Sequence, residues 1–285
     1  MDIELLRTFL EVARTRHFGN TAENLHLTQS AVSARIRSLE ETVGVVLFDR
    51  ARNNIRLTAS GKRLLQHAEG IVTLWQRARQ QVAVDDDIEH FLSISGSASV
   101  WDIFLQDWLE KIFFERKDLY VQADTHGVEA QLNMLREGSL DAAFTFETPR
   151  VGGFQVRQVA QIPLLMVSTA PDRTAHSALR GDYVLVDWGT SFANAHARFF
   201  PDAPPPRLRV GLGRIAHALL LKHGGCAYLA EPMVREELAG SSLFAVPEAP
   251  VINREAYVVY REDSDRTPLL MSLLQELIGI HGDSR

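Results

Sequence analysis

Cysteine is almost absent: Cys226 stands alone in 285 residues. One thiol rules out an intramolecular disulfide and a two-cysteine redox switch within one subunit, and it points to a reducing compartment. Its setting, GGCAYLA, is small and apolar, which suits a buried core thiol. Long apolar runs are also missing. No stretch reaches the roughly 18 residues needed to cross a bilayer, and no signal peptide is visible at the start. A soluble, cytoplasmic protein with no membrane partner is the expectation. Signatures of catalysis are missing as well. No nucleophile elbow, phosphate-binding P-loop or GxGxxG follows a predicted strand, and GLGRIAHALL lacks the third glycine at the required spacing. None of the ten histidines has convincing metal-ligand spacing; His217 and His223, six apart, suit neither one helix face nor a zinc motif. The sequence therefore predicts no enzyme, no catalytic residue, no metal and no cofactor. It contains neither a repeat of solenoid period nor a low-complexity tract.

What is present is an ordinary apolar content of 46%, enough for a real core, on a chain long enough for a small domain plus one or two larger ones. The net charge of −6 is unevenly spread. Residues 1–65 hold 10 Lys/Arg against 7 Asp/Glu, while the remaining 220 hold 20 against 29. A modestly basic head on an acidic body is the asymmetry expected when one end meets phosphate.

The most informative stretch is Phe18 to Glu40, FGNTAENLHLTQSAVSARIRSLE. It reads as two short helices around a tight turn at His26 and Leu27, with small Ala22 allowing a close crossing. Thr28 stands where an N-cap hydroxyl satisfies free backbone donors. Val32, Ile36 and Leu39 recur at helical spacing and face inward, leaving Gln29, Ser30, Ser33, Ala34 and Arg37 outward. Such a helix reaches base edges in a major groove of double-stranded DNA. Gln29 offers a donor and an acceptor to adenine, Ser33 bonds either way, and the Ala34 methyl suits a thymine methyl. Thr28, Ser30, Arg35 and Lys62 are better placed for the phosphate backbone.

MDIELLRTFLEVARTRHF supplies a packed leading helix, and LFDR with IRLT forms two short strands around a turn at Arg52, Asn53 and Asn54. This is a wing. Arg52 at its tip would enter a neighbouring minor groove, and Arg50 would pair near its base. The opening helix, TQSAVS, LF-R and LT-G, in that order, closely resemble the LysR-type transcriptional regulators. The match is dense over residues 1–65 and looser beyond. Ser30 stands where the family often has proline, and Ala34 where a larger polar residue is common, which weakens transfer of any particular operator sequence. Within the family, TRHFGNTAENL, LTQSAVS and RNNIRLTA are most similar to the branch that represses the flagellar master operon.

The fold expected is α/β with an all-α winged helix-turn-helix head over residues 1–58. Residues 59–86 form a linker helix, and 91–285 form a two-lobed, periplasmic-binding-protein-like regulatory domain. In the linker, Leu65, Ala68, Val72, Trp75, Arg79 and Val82 step by three and four, with Leu64, Ile71 and Ala78 widening the stripe. A second copy is the simplest partner for that seam, the alternative being a helix packed on its own domain, and the family resemblance implies a dimer or tetramer. From Phe91 on, strands alternate with helices, implying a parallel sheet covered on its faces. Lobe I takes about 91–160 and 262–285, and lobe II about 161–261, with crossing strands near Val159–Ile162 and Tyr260–Glu262.

Open α/β sheets bind ligands beyond the carboxyl ends of their strands. Ser97 and Ser99 follow the first strand of this domain, Thr125 the second, Thr145 and Glu147 the third, and Trp188 a strand of the other lobe. The resemblance implies that these loops form a cleft for a small-molecule effector. Glu147 and Asp102 either admit a ligand carrying an amino group or simply cap helices. Two alternatives remain at this stage: a ligand-independent repressor whose cleft is filled by Trp101, Phe144, Phe146 or Trp188, and a two-lobed solute-binding protein or enzyme.

Overall fold

Asp2 accepts the Glu4 amide at 3.0 Å and so starts the first helix, α1 (Ile3–Thr15). A computed structural model describes residues 2–49, 55–83, 87–149 and 152–282. The chain divides into two compact units, one over Met1–Asp86 and the other mainly from Asp87 onward.

In the first unit, α1 buries Leu6, Phe9 and Val12 and stops at Arg16, which turns left-handed at φ 53°. The α2 helix (Phe18–Asn24) is capped by the His17 ring, whose Nδ1 accepts the Asn20 amide at 3.1 Å. His26, also left-handed at φ 54°, makes the expected turn. The α3 helix (Gln29–Val43) begins at Thr28, whose hydroxyl accepts the Ala31 amide at 3.2 Å. Val32, Ile36 and Leu39 are fully buried beneath it, as their spacing predicts. A two-stranded wing base follows, β1 (Phe48–Asp49) against β2 (Arg56–Leu57), antiparallel with Phe48 opposite Leu57. The expected wing turn at Arg52, Asn53 and Asn54 lies outside the described residues. Glu40 on α3 accepts the amides of Leu47 at 2.9 Å and Phe48 at 3.3 Å, fixing the helix to the wing base.

Thr58 caps α4 (Ala59–Val82) by accepting the Gly61 amide at 3.0 Å. Gly61 explains the glycine of the LT-G run: a Cβ there would collide with the Leu47 carbonyl oxygen. The predicted seam of α4 proves to be divided. Ala68 and Val72 are buried in the head's own core beside Leu6 and Phe9, because α4 packs on α1. Ile71, Leu74, Trp75 and Val82 stay exposed.

The second unit is built on one mixed sheet. Its elements run β3 (His90–Gly96), α5 (Ala98–Val100), a π-helical turn (Trp101–Leu105), α6 (Gln106–Glu115), β4 (Leu119–Thr125), α7 (Val128–Glu137), β5 (Ala142–Thr145) and β6 (Gln155–Ser168). Then come α8 (Ala175–Ala178), β7 (Tyr183–Val186), α9 (Thr190–Phe199), β8 (Leu208–Val210), α10 (Gly213–His223), β9 (Cys226–Ala230) and α11 (Glu231–Ala239). Last are β10 (Phe244–Ala245), β11 (Ile252–Tyr260) and α12 (Thr267–Gly282). Strand order is β4-β3-β5-β11-β6-β9-β7-β8, with β10 on β6. The outer strands of each half are parallel, whereas β6 and β11 are antiparallel to each other and carry the chain between the halves.

The crossing on β6 includes the expected Val159–Ile162. The return crossing lies earlier than Tyr260–Glu262: Tyr257–Tyr260 already pair with β5, and the register with β6 slips between Ala256 and Tyr257. Trp108 on α6 is fully buried and donates its indole N–H to the Leu273 carbonyl at 3.2 Å, so α12 closes back onto lobe I. Cys226 is buried, as its neighbours predict.

Candidate functional site

Two surfaces carry the residues singled out by sequence, one on each unit. On the first, α3 exposes Gln29, Ser30, Ala34 and Arg37, with Ser33 half-buried among them. The inner residues Val32, Ile36 and Leu39 anchor this face, so its outward chains are presented on a packed support. Thr28 is partly committed: besides capping the helix, its hydroxyl shares a hydrogen bond with that of Ser30 at 2.9 Å. Arg37 donates from Nε to the Ser33 carbonyl at 3.3 Å. Lys62 is exposed at the start of α4. Arg35 behaves differently. Its Nη1 donates to the Thr8 hydroxyl at 3.3 Å and lies 3.7 Å from a Glu4 carboxylate oxygen, which turns it back onto α1. Arg50 and Arg52 lie outside the described residues.

On the second unit a cavity of about 540 Å³ opens between the lobes. Phe146, Glu147 and Thr148 line it from the end of β5, and Trp188, Gly189, Thr190 and Ser191 from the junction of β7 and α9. Asn253, Arg254, Glu255 and Tyr257 of β11 complete it. Trp188 is held rigidly. Its indole N–H donates to the Tyr228 carbonyl at 2.8 Å, and the ring lies against Gly213, where a Cβ would sit 2.5 Å from Cη2. The cavity therefore brings together Glu147 and Trp188 of the six residues expected.

The other four do not line it. Thr145 is buried, and its hydroxyl accepts the Glu147 amide at 3.1 Å while donating to the Glu147 carbonyl at 3.2 Å, so it shapes the loop that presents Glu147. Ser97 and Ser99 are half-buried at the start of α5, and Thr125 is exposed at the end of β4. Their two loops are joined by the Trp101 indole N–H on the Asp124 carbonyl at 3.0 Å and by His126, whose Nδ1 lies 3.2 Å from the Ser95 hydroxyl. Asp102 spans the lobes instead, facing Arg214 at 3.6 Å.

The strongest feature of the cavity is Arg254. Its guanidinium carbon sits 3.9 Å from the centre of the Phe146 ring and 5.7 Å from that of Trp188. Burial pushes its pKa down to about 10, against the opposing pull of Glu147 and Asp187. Nearby Asp187 is held below the usual carboxylate range by the Gly189 amide at 3.2 Å and by Arg209 at 2.9 Å.

Comparison with known proteins covers both surfaces. A family model described as bacterial regulatory helix-turn-helix protein, lysR family, matches residues 3–62, and one described as LysR substrate binding domain matches residues 88–279. The chain belongs to the LysR family. It is a DNA-binding transcriptional regulator with an effector-binding domain. The LysR relatives include the HTH-type transcriptional regulator HdfR of Yersinia enterocolitica, 38% identical over 285 residues and 96% of each chain. HdfR of Escherichia coli is 37% identical over 281 residues, covering 96% of this chain and 97% of that one. Among solved structures, the LysR family regulator CbnR matches with TM-score 0.71 at 19% identity over 100% of both chains. Full-length CbnR complexed with its target DNA matches with TM-score 0.72 at 20% identity, over 99% of this chain and 100% of that one. These structures share the fold.

Within the LysR frame, sequence reasoning missed Arg254, Asn253 and Gly189. A signal for Arg254 was available. Ile252, Arg254 and Ala256 alternate on one face of β11, and the two neighbours are buried. A charged residue in phase with a buried strand face needs a reason, and here the reason is a cavity. Among the described residues, no cluster of metal-ligating side chains is found and no helix is long and apolar enough to cross a membrane.

Proposed function

We propose that two copies of this chain read an interrupted inverted repeat through paired α3 helices, and that a small-molecule effector in the interlobe cavity changes the spacing or bend of the bound DNA. One observation carries the DNA half of this reading: α3 presents Gln29, Ser30, Ser33, Ala34 and Arg37 on one side while its other side is locked into the head core. Gln29, Ser33 and Ala34 face base edges, and Thr28, Ser30, Arg37 and Lys62 hold the backbone. Arg35 positions α3 on α1. Arg52 remains the minor-groove contact of the wing. The solved complex of CbnR with its target DNA supports this use of the fold.

Self-association follows from the apolar residues that α4 leaves exposed, Ile71, Leu74, Trp75 and Val82, and it places two heads on one duplex. The effector half rests on the open cavity. Phe146 and Trp188 line it without filling it, which favours a working site over a closed one. A ligand there acts by binding the two lobe arrangements with different affinity. The protein works as a cytoplasmic regulator rather than an enzyme, in keeping with its similarity to the transcriptional regulator HdfR.

Selection of bound sites from random duplexes by the full chain tests the DNA half. An interrupted inverted repeat is expected to emerge. Recovery of unrepeated half-sites alone would overturn the paired-head reading.

A further inference from the structure

Two opposite charges of the interlobe cavity lie about one point without forming an ion pair. Glu147 Oε1 and Arg254 Nη2 lie 3.1 and 3.4 Å from the point a Cβ on Gly189 would occupy. Gly189 has φ +91°, a conformation that favours glycine, and its missing side chain keeps that point empty. Neither Glu147 nor Arg254 forms a side-chain hydrogen bond or an ion pair with any described residue. The flat face of Arg254 is already covered by Phe146 at 3.9 Å, which leaves the edge of the fork for a partner. A guanidinium that has lost much of its hydration and gained no acceptor is an unfavourable arrangement unless a ligand completes it. That edge matches a carboxylate bidentately.

The surrounding charges narrow the class further. Glu147 and Glu255 both line the cavity, against Arg254 as the lining cation. Glu255 is engaged by the Tyr257 hydroxyl, whereas Glu147 is not. A dicarboxylate would bring its second charge toward carboxylates, and a polyamine would meet Arg254. A molecule with carboxylate and ammonium on neighbouring atoms satisfies both unpaired groups together. Thr148, Thr190, Ser191 and Asn253 then remain for its side chain, and about 540 Å³ accommodates a small metabolite.

We infer that the interlobe cavity binds a free α-amino acid, its carboxylate on Arg254 and its ammonium on Glu147. This rests on the reading of that cavity as the effector site. The test uses calorimetric titration and thermal melting of the full chain with the twenty common L-amino acids. Each hit is compared with its decarboxylated amine and its deaminated acid, and dicarboxylates, aromatic carboxylates and polyamines form control arms. At least one amino acid is expected to bind, with both truncated analogues weakened roughly ten-fold or more, the loss of one charge-assisted hydrogen-bonded pair. Arg254→Lys should weaken binding and Arg254→Gln abolish it, with circular dichroism confirming the fold of each. Glu147→Gln should shift preference toward the deaminated acid. Binding of a control class with no amino acid bound would overturn the amino-acid assignment and leave the cavity an effector site. Absence of binding by every probe, with unchanged DNA footprints, would remove both readings.

Discussion

Asp102 and Arg214 face each other at 3.6 Å across the two lobes, and the Asp102 Oδ2 that makes this approach is shut from solvent and accepts no hydrogen bond. The pair is lopsided, since the Arg214 side chain is 63% exposed and that of Asp102 23%. Arg214→Ala is expected to cost about 1 kcal/mol, because it leaves a desolvated carboxylate oxygen without its facing charge. Adding Asp102→Asn removes the stranded charge and should recover most of the loss. Thermal melting of the two single variants and the double variant decides the point. Additive losses would show that the two side chains act independently.

Gln29→Leu and Ser33→Leu should abolish discrimination among operator sequences while leaving the head folded, since both side chains lie outside the α3 core contacts. Each lost base contact is expected to reduce specificity by about 1–3 kcal/mol. Competition binding against random duplex measures this, and retained discrimination would count against α3 as the reading element.

Gly61→Ala should destabilise the head by about 1–3 kcal/mol, because the added methyl drives α4 away from the Leu47 carbonyl. Melting of the variant is the check. An unchanged midpoint would mean that the start of α4 shifts at no cost.

Charges on α4 should separate oligomer from fold. Leu74 and Trp75 are each 47% exposed, so Leu74→Glu with Trp75→Glu is expected to give folded monomers in light scattering. Operator affinity should fall at least roughly ten-fold as bivalency is lost. Val72→Glu should instead unfold the head, since Val72 lies in its core. A double variant that stays oligomeric would rule out this face as the interface.

The head was legible because each of its signals is local. Thr28 as a cap, the spacing of Val32, Ile36 and Leu39, and the His26 turn are properties of neighbouring residues, and all appear in the structure. The alternation of strands and helices was equally plain. Elements with muted patterns leave a weaker signal. The α9 helix, TSFANAHARF, mixes small and polar residues, and α11 opens on Pro232, whose place in the first turn marks a helix start. The first residues of β6, Gln155, Val156, Arg157 and Gln158, are all exposed and carry no alternating apolar signal, although they pair with β11.

The cleft was half legible for a different reason. Strand ends point to a region, and they found Glu147 and Trp188, but which side chain enters that region depends on pairing between residues a hundred positions apart. Thr145 was chosen as a ligand contact, yet its buried hydroxyl closes the turn that carries Glu147. In α4, periodicity identified an apolar stripe without showing that Ala68 and Val72 are consumed by α1.

Glu40 ties the amides of Leu47 and Phe48 to α3, so a single carboxylate joins the proposed groove-reading helix to the root of the wing. The helix and the first strand of the wing are thereby coupled. On the proposed reading of the groove by α3, a half-site of the wrong pitch would be over- or underwound to fit, with the strain falling on the duplex rather than on the polypeptide.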